Sequence, residues 1–242
     1  MYFFVADLSG NSVAGRDAEH LWAMRPEQGE KIWVTNLAGD VVRAKIRFVQ
    51  KKQRGVVWTR LRTEKRENTT KNILIQAKPD RAYLEKLVEI LPHAGVEILY
   101  IVDTDLSEKK QPVNLERLDR ILIRACEQAE VAYLPRIEIV LGKEQVHDLI
   151  QKLRPTVLDI ITTEKKPIIK KGSEKKVEKP VANIVLVGPE GGWSDAEKTW
   201  FDEQDLARHS LGAVVFPAWL AGFGYFQQVQ SCASNCIDTH LL

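Results

Sequence analysis

Long apolar runs are missing from this sequence. None approaches the roughly 20 residues that a membrane-spanning helix needs, so no membrane association is expected. Cysteine is scarce. Cys126, Cys232 and Cys236 form an odd set, which excludes a disulfide scaffold and points to a reducing, cytoplasmic setting. Cys232 and Cys236 supply at most half of a metal site, and no two histidines have ligand spacing, so no metal is expected. The opening MYFFVADLSG lacks a basic segment and carries Asp7 early, unlike a signal peptide. Net charge is nearly absent too, with 35 Lys and Arg against 33 Asp and Glu. What remains, 44% hydrophobic and 28% charged residues over 242 positions, suits a globular protein of one or two domains.

The charge is unevenly placed. RAKIRFVQKKQRGVVWTRLRTEKRENTTK, residues 43–71, is densely basic, with Phe48 and Trp58 interleaved. Such a stretch either tracks a phosphate backbone or forms the solvated face of strands. Arg25, Arg43, Arg47, Lys51, Lys52 and Arg54 are the candidate phosphate contacts. A second Lys-rich stretch, EKKPIIKKGSEKKVEKP at 164–180, reads as a surface loop.

Two textures divide the chain. YFFVADL, KIWVTNL, VVRAKIRFV and GVVWTRLR are short β-rich runs separated by Gly, Asn and Asp, with one helical piece in RDAEHLWAMR. They predict a small barrel over residues 1–71. From residue 72 onward, strand and helix patterns alternate through NILIQA, DRAYLEKLVEILPHAG, EILYIVD, LERLDRILIRACEQAE, RIEIVLG, EQVHDLIQKL and VLDIITT. Alternation of this kind predicts a mainly parallel α/β sheet over 72–242. In the third helix Leu115, Leu118, Ile121, Leu122 and Ala125 form the expected buried face.

The chemistry centres on NIVLVGPEGGWSDAE, Asn183 to Glu197. Ile184–Val187 reads as a strand buried on both faces. Ser194 and Glu197 have capping-box spacing, so a helix starts there. Gly188-Pro189-Glu190-Gly191-Gly192 lies between them, with three glycines in five residues exposing main-chain groups at a strand's carboxyl end. The loop is not a P-loop, because no Gly-Lys-Ser/Thr follows, nor a dinucleotide fingerprint, and no serine sits in a nucleophile elbow. Downstream, HSLGAVVFPAWLAGFGYF places Leu211-Gly212 ahead of a further apolar strand, stopped at Pro217. Ala218 to Phe226 then reads as a helix buried on most sides. Two such loops suit a flat ligand such as adenosine.

LVGPEGGWSDAE followed by HSLG resembles the small-subunit (16S) ribosomal RNA uracil-N3 methyltransferase family, of the SPOUT trefoil-knot superfamily. FFVADLSG, AEHLWAMRPEQGEKI, ILIQAKPDR, RACEQAE and LPRIEI fall where that family has its other blocks. The resemblance implies a PUA-like N-terminal β-barrel, a knotted parallel sheet and a homodimer. It also implies an S-adenosyl-L-methionine-dependent enzyme that methylates N3 of a uridine in 16S ribosomal RNA. By position, the cofactor site comprises Ile161, Thr162, Thr163, Leu186, Gly188, Pro189, Glu190, Gly191, Gly192, Leu211, Gly212, Val215 and Phe216. Glu190 is the candidate catalytic carboxylate. One segment departs from the family pattern: Val214 and Pro217 replace two arginines, and Trp219 and Leu220 replace a glutamate and a threonine. That departure leaves open a catalytically weakened RNA-binding paralogue with the same fold. Trp219 and Phe223, one turn apart, are the expected dimer anchors.

Overall fold

In the computed structural model, the described residues are 2–14, 18–50, 55–68, 71–108, 112–158, 183–212 and 215–238. The chain divides into two compact units. One comprises residues 1–69 together with 119–134, and the other residues 70–118 together with 135–242.

The first unit is built on a five-stranded sheet of order β1-β3-β4-β5-β2. Its strands are β1 (Tyr2–Phe4), β2 (Ser12–Val13), β3 (Lys31–Thr35), β4 (Asp40–Gln50) and β5 (Gly55–Lys65). The short helix α1 (Glu19–Ala23) follows β2. Pairing is antiparallel except between β1 and β3. Alternation sends Ile32, Val34, Val42, Ala44, Ile46, Val56 and Trp58 inward around Leu21. A register shift between Ile46 and Phe48 breaks that alternation, and Phe48 is 62% exposed while Trp58 is 2% exposed. The two interleaved aromatics therefore have opposite fates. Residues 119–134 add a second cluster, in which Ala132 and Tyr133 pack with Tyr2, Trp33 and Val41. Glu127 accepts the amide of Phe4 at 2.9 Å. Cys126 is buried, and burial, with Glu127 nearby, pushes its thiol up to about 12. Its role is packing, not nucleophilic chemistry.

The second unit holds a six-stranded sheet of order β11-β9-β10-β6-β7-β8, with every pairing parallel. The strands are β6 (Asn72–Ala77), β7 (Val96–Val102), β8 (Arg136–Val140), β9 (Thr156–Leu158), β10 (Asn183–Val187) and β11 (Arg208–His209). Its helices are α2 (Arg81–Ile90), α4 (Lys143–Leu153), α5 (Asp195–Glu203) and α6 (Ala218–Asp238). Helix α3 (Leu115–Gln128) contributes its first turn to this unit and the remainder to the other. The chain is thus α/β with a parallel sheet, as the alternation predicts. At the amino end of the sheet, Asn72 is buried, donates to the Ala94 carbonyl at 2.7 Å and accepts from Asn183 at 2.9 Å.

Two expectations need correction. The apolar strand expected after Gly212 does not form at 215–217, and the last strand is Arg208–His209, ahead of Leu211. His209 pairs with Leu158, the last residue of β9, and no further pairing of this segment occurs among the described residues. Leu115, expected on the buried face of α3, is 42% exposed, while Leu118, Leu122 and Ala125 are buried. It is the first residue of the helix, where the apolar stripe begins before the packing does.

Candidate functional site

Strand order reverses between β6 and β10. From β6 the chain proceeds outward to β7 and β8, then crosses to β9, β10 and β11 on the other flank. Such a switch point, at the strands' carboxyl ends, is where open α/β sheets bind ligands. The glycine loop starts there, directly after Val187.

Gly188 is buried because Trp193 folds back against it. A Cβ at Gly188 would lie 2.9 Å from the indole Cε2, so no side chain fits. Gly192 closes a turn by donating to the Pro189 carbonyl at 2.9 Å, with φ at +74°, a conformation that favours glycine. Gly191 carries neither constraint. It is exposed, and a Cβ there would make only ordinary contact with Leu106. Among the described residues no acceptor takes the amides of Glu190 or Gly191, and the Glu190 side chain is exposed without an ion pair. The loop offers bare backbone donors beside one free carboxylate.

The exit from the loop is fixed by the predicted capping box. Ser194 Oγ accepts from the Glu197 amide at 3.2 Å, and Glu197 Oε2 accepts from the Ser194 amide at 2.8 Å. Glu197 is buried and also takes the amide of Asp105 through Oε1 at 3.0 Å. Ser194 Oγ donates to Asp105 Oδ2 at 2.6 Å. The turn after β7 is thereby tied to the start of α5.

A second segment leaves the same edge. Leu158 pairs with Val187 on one side and with His209 on the other. The glycine loop and the Leu211–Gly212 loop therefore depart at the same level, one strand apart on either side of β9, with bases on the order of 10 Å apart. Gln228 on α6 donates to the Leu211 carbonyl at 3.3 Å and faces His209 Nε2 at 3.0 Å. Leu211 and Phe216 both lie against Gly224. Leu186 is buried in β10, and Val215 is 66% exposed. The structure thus brings Leu186, Gly188 to Gly192, Leu211, Gly212, Val215 and Phe216 to one edge. Ile161, Thr162, Thr163, Val214 and the Lys-rich stretch 164–180 lie outside the described residues, as do the side chains of Cys232 and Cys236.

Four participants are not singled out by the sequence pattern. Gln76, fully buried at the end of β6, donates through Nε2 to the Gly188 carbonyl at 3.3 Å and leaves its Oε1 unpartnered. Its one signal is a polar residue inside the apolar run NILIQA. Trp193 shapes Gly188. With Thr104 and His147, it also lines a cavity of about 180 Å³. Its Nε1 and Thr104 Oγ1 have no partner among the described residues. His147 stacks on Trp200 at 3.8 Å, and burial, reinforced by Lys143, holds its imidazole below the usual range.

The basic candidates lie on the first unit. Arg43, Lys45 and Arg47 alternate outward along β4. Arg43 sits over the Trp33 ring at 5.4 Å and is opposite Arg62 on β5. Arg47 donates to Thr59 Oγ1 at 2.7 Å. Arg25 is exposed at the end of α1 with φ +51°. Lys51, Lys52 and Arg54 lie outside the described residues.

A parallel sheet with free main-chain donors at its switch point defines a ligand-binding α/β protein. Residues 66–218 match the RNA methyltransferase domain, and the chain belongs to that family. It is 28% identical over 135 residues to ribosomal RNA small subunit methyltransferase E of Helicobacter pylori, 54% of each chain. It is 27% identical over 201 residues to the protein of that name from Synechocystis, covering 80% of this chain and 65% of the relative. The chain thus spans about half the length of the Helicobacter relative it matches. Among solved structures, ribosomal RNA small subunit methyltransferase E from Neisseria gonorrhoeae, bound to S-adenosyl methionine, has a TM-score of 0.74 at 20% identity. The match covers 96% of this chain and 97% of that one. A probable rRNA-methyltransferase from Porphyromonas gingivalis has a TM-score of 0.73 at 19% identity, over 95% and 97% of the two chains. These likenesses establish the fold.

Proposed function

We propose that this protein is an S-adenosyl-L-methionine-dependent methyltransferase acting on N3 of a uridine in 16S ribosomal RNA. The observation that carries the reading is the pair of loops departing beside Leu158, one with unpaired amides at Glu190 and Gly191. Membership of the RNA methyltransferase domain family supports it. So do relatives named for small-subunit ribosomal RNA and a neighbour bound to S-adenosyl methionine.

The residues fit such a cofactor. Bare amides at Glu190 and Gly191 and the unpartnered Gln76 Oε1 offer hydrogen bonds to polar edges. Leu186, Leu211, Gly212, Val215 and Phe216 offer an apolar surround, with Gly188, Pro189 and Gly192 holding the loop open. Ile161, Thr162 and Thr163 are proposed to complete the site. S-adenosylmethionine, when bound, supplies a methyl group activated by a sulfonium. Glu190 is exposed and has no partner among the described residues, so its carboxylate can take the hydrogen bond from N3–H and receive that proton as N3 forms its new bond. The loop's preorganised N–H groups stabilise developing charge without reorganisation.

The proposal includes a PUA-like character for the N-terminal unit, a trefoil knot in the parallel sheet, domains at 1–71 and 72–242, a homodimer and a cytoplasmic location. Arg25, Arg43, Arg47, Lys51, Lys52 and Arg54 are the proposed RNA contacts. Among the described residues no helix is long and apolar enough to cross a membrane. Mass spectrometry of small-subunit RNA from cells with and without the gene tests the reading: 3-methyluridine should disappear with the gene. Unchanged 3-methyluridine, in a protein that binds S-adenosylmethionine by calorimetry, would favour the RNA-binding paralogue instead.

A further inference from the structure

Lys78, just after β6, is 9% exposed. Its main chain is held at both ends: its amide donates to the Val102 carbonyl at 2.9 Å, and its carbonyl accepts from Glu108 at 3.1 Å. Among the described residues no acceptor or carboxylate pairs with its ammonium group, although the side chain lines a cavity of about 310 Å³. The stem is packed against its neighbours, while the ammonium group keeps contact with solvent in the cavity and is open to a solute there.

The remaining charges of the cavity are already arranged. Arg81 and Arg117 line it, and both are committed to Glu85. Arg117 reaches that carboxylate through Nε at 2.5 Å and Nη2 at 2.8 Å, and Arg81 through Nε at 3.1 Å. Three cations around one carboxylate leave a formal surplus of two positive charges. Two helices also begin at the rim. Helix α2 starts at Arg81, and α3 starts after Asn114, whose Oδ1 accepts the Arg117 amide at 3.0 Å. Asp80 caps α2, its Oδ1 accepting the amides of Ala82 at 2.7 Å and Tyr83 at 3.3 Å, and among the described residues it forms no ion pair with Lys78. Both helix dipoles add positive potential there.

We propose that the cavity bounded by Lys78, Arg81 and Arg117 is an oxyanion site that takes a backbone phosphate of the RNA substrate. The proposal rests on the RNA-modifying reading above. Phosphate matches the surplus charge, and guanidinium forks beside an ammonium suit its oxygens. Position supports the assignment. The cavity lies two residues beyond Gln76, whose side chain bonds the first residue of the glycine loop. A strand of RNA anchored here passes the same sheet edge as the proposed chemistry. The sequence offers no hint of this, because the isolated Lys78 falls outside the basic stretch at 43–71.

The test uses the full chain in two arms. In the first, thermal unfolding is followed in phosphate and in chloride at matched ionic strength. Wild type should gain melting temperature in phosphate. Lys78→Met, which keeps the packed stem, should melt close to wild type in chloride and should show a smaller phosphate gain. Lys78→Arg, which keeps the charge, should retain the gain. In the second arm, a single-stranded RNA oligonucleotide is titrated by fluorescence anisotropy across salt concentrations. Lys78→Met should bind about tenfold more weakly, as removal of one charge-assisted hydrogen bond implies. Its salt slope should be shallower by about 0.7. An equal phosphate gain in wild type and Lys78→Met overturns the site. So does a variant that melts far below wild type while binding RNA with an unchanged slope, which would make Lys78 a packing residue. If Lys78→Met loses the phosphate gain but wild type binds no RNA, the ligand is free phosphate and the RNA assignment is overturned. Loss of methyl transfer with both arms intact would count against the proposed activity alone.

Discussion

Gln76 donates to the Gly188 carbonyl across the boundary between β6 and β10, and it keeps its own carbonyl oxygen unpartnered. The bond joins the two strands at which the order of the sheet reverses, and it holds the first residue of the glycine loop. Replacing Gln76 with Leu removes an orphaned acceptor but frees the Gly188 carbonyl. Stability should change by no more than about 1–3 kcal/mol, the range for an unsatisfied buried group. Affinity for S-adenosylmethionine, measured by calorimetry, should fall. Full affinity in the folded variant would remove Gln76 from the site.

The loop glycines should differ sharply. Gly188→Ala places a methyl 2.9 Å from the buried Trp193 ring and should cost about 1–3 kcal/mol, as overpacking does. Gly191→Ala meets only Leu106 at ordinary distance and should stay within about 0.5 kcal/mol of wild type. Denaturant unfolding of the two variants checks this. Equal effects would contradict the packing described here.

Helix α6 lies on the sheet through small residues. A Cβ at Gly222 would come within 2.8 Å of Leu74 Cδ1, a side chain that is itself buried. Alanine normally favours a helix interior over glycine by about 1 kcal/mol. Here Gly222→Ala should nevertheless destabilise, because the sheet cannot recede. A rise in denaturation midpoint would show that Leu74 can move aside.

Glu85 carries a pH signature. Hydrogen bonding from Arg117, reinforced by Arg81, brings its carboxyl down to about 2 from an ordinary 4.5. A lowered folded-state value contributes stability that is fully present above 4.5 and is lost as pH falls toward 2. The stability difference between wild type and Glu85→Gln should therefore be constant near neutrality and shrink through that acid window. Parallel profiles down to pH 2 would mean that the ion pairs do not hold in solution.

The exposed arginines of β4 should bind phosphates. Neutralising Arg43 and Arg47 together should weaken RNA binding and flatten its salt dependence by about 0.7 for each phosphate no longer neutralised. An unaltered slope would mark them as a solvated strand face.

Trp219 and Phe223 are half-buried at the start of α6, with Lys86 Nζ 5.6 Å from the Trp219 ring centroid. If they anchor a homodimer, polar replacement of both should yield a soluble monomer in sedimentation. A wild-type chain that sediments as a monomer at micromolar concentration would end the dimer proposal.

Features under short-range control were legible in the order of residues alone. Period-2 and helical patterns gave the alternation from residue 72 onward, and Ser194 with Glu197 marked the start of α5, because a capping box is closed within four residues. The glycine cluster marked a loop with exposed backbone, since glycine density is local information. The rest depended on partners far apart in the chain. Which glycine is indispensable turned on Trp193 folding back on Gly188, not on the run of glycines. Whether Phe48 or Trp58 entered the core turned on a register shift between two strands. The last strand of the sheet lies at Arg208–His209, where the chain pairs with β9, and not in the apolar run at 215–217, which local apolarity alone does not reveal. Gln76 and Lys78 gained their surroundings only when β6 was set beside β10 and α2 beside the start of α3. The surplus of positive charge around Lys78 is a property of that assembly, because it depends on which side chains the fold brings to one cavity.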